Sequence, residues 1–120
     1  MANFAAWFIF ALGLGHIFYG LIKYKTQVSE VISAGFVGQF KGHEKRLTAF
    51  WFFIFGPLLM LAGHMAIHAV STGDLELLKI IGFYGFSTSL IGIAALPKSP
   101  FWAALIVSPL LIAAGYGLLR

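Results

Sequence analysis

Two histidines four positions apart are the first residues whose types and spacing could do chemistry. They are His64 and His68, in the otherwise apolar stretch LAGHMAIHAV at 61–70. Residues i and i+4 share one face of an α-helix, so both imidazoles could bind one metal ion. Met60 extends that face by one turn, and a thioether with imidazoles suits copper or haem iron better than zinc. HMAIH lacks the glutamate of zinc-peptidase helices, which disfavours a peptidase.

A third histidine lies in the first apolar stretch. His16 comes three residues after Gly13 and four before Gly20, so it should face the interior of a helical bundle. An ionisable residue inside a membrane helix is a functional candidate by default. The alternative is a neutral imidazole bonded to a neighbouring carbonyl or to Thr88. For the other two histidines, the alternative is that His64 bonds within the bundle while His68 extends to the lipid headgroups. We predict one ligand-binding group of His16, Tyr19, Met60, His64 and His68, with the three histidines as metal ligands.

His16 and the other two histidines can share one metal ion only if they lie at similar depths in the membrane. Counting about 1.5 Å per residue, His64 lies about 9 Å below the outer surface if its helix ends at residue 70. His16 lies about 20 Å deep if its helix begins at residue 3, and about 14 Å deep if Trp7 marks the interface. A three-histidine site or a bis-histidine haem therefore requires the later start.

The composition indicates a membrane as the surroundings. Of 120 residues, 60% are hydrophobic and only 10% are charged, and a soluble domain of this size would leave much of that apolar surface in water. Four stretches are long enough to cross a bilayer as helices. We predict an all-α fold, a single integral membrane domain over 1–120, with a compact bundle of four transmembrane helices at about 3–22, 47–70, 77–96 and 101–119.

The distribution of charge predicts the orientation. The connection between the first two helices carries five Lys or Arg residues, whereas the next connection carries Asp74, Glu76 and only Lys79. The first connection therefore belongs in the cytoplasm, and both termini belong outside. Residues 27–40 have apolar side chains with helical spacing, which predicts a short amphipathic helix on the inner leaflet.

Small residues at helical spacing predict where the helices approach each other. Each of three predicted spans carries such a seam, whereas Pro57 and Pro109 predict kinks within helices. The seams are Ala6, Gly13 and Gly20 in the first span, Gly82, Gly85, Ser89 and Gly92 in the third, and Ala104, Ser108 and Gly115 in the fourth.

Several classes of function are disfavoured. The chain has no cysteine, so thiol chemistry is absent, and its four acidic residues lie in predicted loops or at helix ends, where they form no buried acid/base pair. The basic residues border apolar runs and form no stripe for nucleic acid. An enzyme acting on a lipid-soluble substrate is therefore the third hypothesis. The first is binding of a metal, haem or small hydrophobic ligand, and the second is a structural or accessory subunit, as a homo-oligomer or in a larger complex.

Three longer segments resemble a known family. The segments are GLGHIFYGL at 13–21, AFWFFIFGPLLMLAG at 49–63 and PKSPFWA at 97–103. Together they resemble an uncharacterised family of small four-span bacterial membrane proteins, known as a domain of unknown function. The resemblance covers nearly the whole chain and implies a bacterial cytoplasmic membrane and a four-helix architecture. It implies no activity.

Overall fold

The chain folds entirely into helices over the part that can be described. A computed structural model describes residues 1–119, which contain five α-helices and no strand. The all-α prediction is confirmed. In chain order the helices are α1 (Ala2–Lys23), α2 (Lys25–Ser33), α3 (Glu44–Thr72), α4 (Leu75–Ala95) and α5 (Phe101–Gly115).

Three of these helices, α1, α3 and α4, are long and apolar enough to cross a membrane. The fourth predicted span, 101–119, is shorter than expected. Helix α5 has 15 residues, or about 22 Å against a hydrocarbon core of about 30 Å. It ends because Gly117 adopts φ 78°, while the N–H groups of Gly117 and Leu118 donate back to Ala114 and Ala113. This is the Schellman arrangement that closes a helix.

The amphipathic helix is also shorter than the predicted 27–40. Helix α2 ends at Ser33 because two consecutive residues, Gly35 and Phe36, adopt positive φ angles of 102° and 66°. A left-handed backbone cannot continue a right-handed helix. Gly38 and Gly42 also adopt positive φ, so residues 34–43 form turns that lead into α3. The apolar spacing alone gave no signal for these turns.

Helices α1 and α3 pack antiparallel along the predicted glycine seam. A Cβ on Gly13 would lie 2.7 Å from the backbone nitrogen of Met60, and one on Gly20 would lie 2.9 Å from the rings of Phe52 and Phe53. A Cβ on Gly63 would overlap the backbone of Phe10. Glycine is therefore required for this close approach, as expected where van der Waals packing holds membrane helices together.

Helices α4 and α5 form the second antiparallel pair. A Cβ on Gly82 would lie 2.7 Å from Ile112, and one on Gly85 would lie 2.7 Å from the Ser108 hydroxyl. Ser89 in the same seam is buried and donates to the Gly85 carbonyl at 2.6 Å. Contacts of α1 with α5 and of α3 with α4 join the two pairs into one bundle. The glycines of both predicted seams, together with Ser108, lie in the contact between α4 and α5.

A two-residue connection joins the two helix pairs. Gly73 ends α3 at φ 72°, and the N–H of Asp74 donates to the Ala69 carbonyl at 2.9 Å. The Asp74 carboxylate then accepts the N–H of Leu77 at 3.0 Å and caps α4. The backbone of Asp74 thus bonds to the last turn of α3, and its side chain caps the first turn of α4.

Candidate functional site

His16 lies in the contact between α1 and α3. Its Nε2 donates to the backbone carbonyl of Phe52 at 2.7 Å. The imidazole also stacks on the Phe52 ring, with centroids 3.8 Å apart and planes at 17°, and meets Phe55 edge-on at 5.4 Å. This matches the interpretation in which His16 bonds to a neighbouring carbonyl.

Pro57 lies five residues after Phe52 on α3. It has no N–H, so the carbonyl of Phe53, four residues before it, lacks its usual helical donor. His16 bonds to the adjacent carbonyl of Phe52, which is not the group that Pro57 leaves without a donor. The hydrogen bond therefore joins α1 to α3 near the proline but does not replace the bond that the proline removes.

The outer histidine pair has a different environment. Both His64 and His68 are exposed, and they share the face of α3 expected for i and i+4. The His64 ring lies edge-on to Phe10 at 6.5 Å. The backbone carbonyl of His68 accepts hydroxyl donors from Ser71 at 2.8 Å and Thr72 at 2.9 Å. Over residues 1–119 no ring nitrogen of His64 or His68 forms a hydrogen bond, so both imidazoles can act as ligands.

Tyr19 lies away from the histidine pair, whereas Met60 lies one turn before His64 on α3. Met60 packs towards α1, where its Cγ lies 2.6 Å from the position of a Cβ on Gly13. Tyr19 is exposed near the end of α1, with its ring 6.0 Å from that of Phe52. His16 and Tyr19 thus lie at Phe52, whereas Met60, His64 and His68 follow at successive turns of α3.

His16 is also separated from the outer pair. It contacts α3 at Phe52 and Phe55, and His64 lies nine residues beyond Phe55, or about 13 Å along the helix axis. Helix α1 begins at Ala2, close to the residue-3 start for which a shared site was not expected. Among the described residues no three His, Cys, Asp or Glu side chains form a group that could hold one metal ion. The three-histidine set therefore does not assemble in this chain, and His64 with His68 remains the candidate site.

A second cluster was not anticipated from the sequence. The Lys23 ammonium lies 5.5 Å from the centroid of the Tyr24 ring and 5.9 Å from those of Tyr19 and Phe52. Aromatic faces attract cations at such distances. Tyr19 and Tyr24 are near Lys23 in sequence, but Phe52 comes from α3, so the sequence signal was limited to two tyrosines beside a lysine.

Comparison with known proteins places the chain in a family but gives no activity. No curated protein and no solved structure matches it. A family model does match, described as a family of unknown function (DUF6463), and the match covers residues 1–116. Because this match extends over nearly all of the chain, the protein belongs to that uncharacterised family.

Proposed function

We propose that this membrane protein binds a divalent transition-metal ion through His64 and His68. The observation that carries the proposal is the exposure of both imidazoles on one face of α3, one turn apart. Two imidazoles at this spacing form a bidentate site on a helix. Copper is the metal that such nitrogen ligands bind most strongly among the first-row divalent ions.

The depth of the pair supports access for an ion from water. Helix α3 has 29 residues, or about 43 Å, which exceeds a hydrocarbon core of about 30 Å. Its end at Thr72 can therefore extend into the headgroup layer. His68 lies one turn before that end and His64 one further turn inward, so an ion would meet His68 first.

The binding test uses the third exposed histidine of the chain as a control. We expect His64→Ala or His68→Ala to weaken Cu²⁺ binding about tenfold or more, since loss of even a second-shell partner of a ligand usually costs about 10- to 100-fold in affinity. His43→Ala should leave affinity unchanged, because His43 lies in the turns before α3. The measurement is titration of the purified protein in detergent against a competing chelator. Equal affinity in the wild type and both pair variants would contradict the proposal.

We further infer that α5 also crosses the membrane and that the bundle lies in a bacterial cytoplasmic membrane with both termini outside. The basic residues between α1 and α3 support this orientation. The apolar composition of α5 supports its insertion, because an apolar helix packed on α4 is stable in lipid. A shorter helix can span where the bilayer thins around it.

Cysteine labelling tests this topology cleanly because the chain has no cysteine of its own. In intact cells, an impermeant maleimide should label Glu76→Cys and Leu118→Cys, whereas Lys41→Cys and Lys98→Cys should react only after permeabilisation. Labelling of Lys41→Cys in intact cells would contradict the orientation. Protection of Leu118→Cys in intact cells, with labelling after permeabilisation, would contradict the fourth span.

A further inference from the structure

A cleft lies where α1 ends, between α2 and the first turns of α3. It has a volume of about 420 Å³ and is lined by Lys23, Tyr24, Gln27, Glu44, Lys45 and Thr48. This volume is within the roughly 300–1,000 Å³ of small-molecule sites. The cleft therefore has room for a headgroup-sized ligand.

The charges around the cleft favour an anion. Over residues 1–119 neither Lys23 nor Lys45 forms an ion pair, although the Glu44 carboxylate is also part of the lining. The neighbouring Arg46 is already engaged, since it lies 3.9 Å from Glu30 and donates to the Gln39 carbonyl at 3.1 Å. The lining thus contains two lysines that form no ion pair among residues 1–119, against one glutamate.

The Lys23 ammonium lies beside three aromatic rings, and one of these, Tyr24, also lines the cleft. The ammonium lies within 6 Å of three ring centroids, those of Tyr19, Tyr24 and Phe52. Tyrosine and lysine are typical of the headgroup layer of a bilayer. Lys23 ends one candidate span and Lys45 lies in the first turn of another, so both belong to that layer.

Exposed apolar side chains on the two helices that carry the lysines favour a lipid over a free anion. Ile22 of α1 is 77% exposed, and Leu47 of α3 is 42% exposed. A molecule with a phosphate and acyl chains could contact the lysines and this surface together. Inorganic phosphate could contact only the lysines.

We infer that this cleft binds the phosphodiester headgroup of an anionic phospholipid, with Lys23 and Lys45 contacting the phosphate and the acyl chains lying along the exposed apolar surface of the bundle. The inference does not depend on the histidine pair, which lies towards the opposite end of α3. It requires only that α1 and α3 are embedded in a bilayer.

The test compares two double variants that change charge equally. Lys23→Gln with Lys45→Gln removes both cleft lysines, whereas Lys25→Gln with Lys41→Gln removes two exposed lysines of the same segment that do not line the cleft. Phosphatidylglycerol and phosphatidylcholine are titrated into the detergent-solubilised protein, and bound lipid is measured by native mass spectrometry. We expect the cleft variant to lose phosphatidylglycerol affinity about tenfold and the control about twofold or less, since lysines near anionic lipid act mainly at short range.

Three outcomes would overturn the inference. They are equal losses in the two double variants, equal affinity of the wild type for the two lipids, and displacement of phosphatidylglycerol by equimolar inorganic phosphate. Circular dichroism of both variants verifies that they remain folded. If the cleft variant unfolds, the Lys45→Gln single variant replaces it, and unchanged phosphatidylglycerol affinity there would equally overturn the inference.

Discussion

Replacing Gly63 with alanine is expected to lower the free energy of unfolding by about 2–3 kcal/mol, the upper part of the range for overpacked sites. The added Cβ would overlap the backbone N and Cα of Phe10. Backbone atoms cannot rotate away as a flexible side chain can, so α1 and α3 would have to separate. Membrane helices gain stability from packing at short distance, and separation would reduce that packing along the seam.

The matched control is the same substitution at Gly15. A Cβ there would meet no atom within 4 Å, so Gly15→Ala should be neutral or stabilise the helix by up to about 1 kcal/mol. Unfolding by dodecyl sulfate, followed by circular dichroism and tryptophan fluorescence, measures both variants. A neutral Gly63→Ala would show that the two helices are further apart than in this structure.

Replacing Leu111 with alanine is expected to cost about 2 kcal/mol, at the lower end of the range for buried leucines. Leu111 is 0% exposed in the core cluster, together with Leu78 and Val107. In a bilayer the unfolded helix also keeps this side chain in an apolar medium, so the loss comes mainly from the cavity and its missing dispersion contacts.

Ile106→Ala on the same helix separates packing from hydrophobicity. Ile106 is 69% exposed, so surrounding lipid can fill the space that its side chain leaves, and we expect a change within about 0.5 kcal/mol. The same dodecyl sulfate titration applies. If both variants lost stability equally, the side chain's own hydrophobicity would account for the effect and the packing explanation would be wrong.

The parts of the fold that could be predicted from sequence are those that depend on local spacing. The seam of Gly82, Gly85, Ser89 and Gly92 indicated a close helix contact because small residues recurred on one face, and that contact is the one with α5. The end of α2 at Ser33 could not be predicted in the same way. It depends on Phe36 adopting a left-handed backbone, which a bulky residue rarely does without tertiary support.

The candidate site was predicted less well than the fold. Whether residues of α1 and α3 can bind one ligand together depends on the register between the two helices. The i,i+4 spacing correctly placed His64 and His68 on one face, since that follows from helix geometry alone. The pairing of Gly13 with Met60 sets the register between α1 and α3, and it turns the Met60 side chain towards α1. No pattern within either helix specifies this register.

The short connection between α3 and α4 limits how the two helix pairs can move relative to each other. Gly73 and Asp74 are held by hydrogen bonds to Ala69, Val70 and Leu77, so the adjoining ends of α3 and α4 stay close together. A change in the angle between the two pairs would therefore move these ends least. The largest displacement would fall at the distant lysine-bearing end, where α3 and α4 have no direct covalent link.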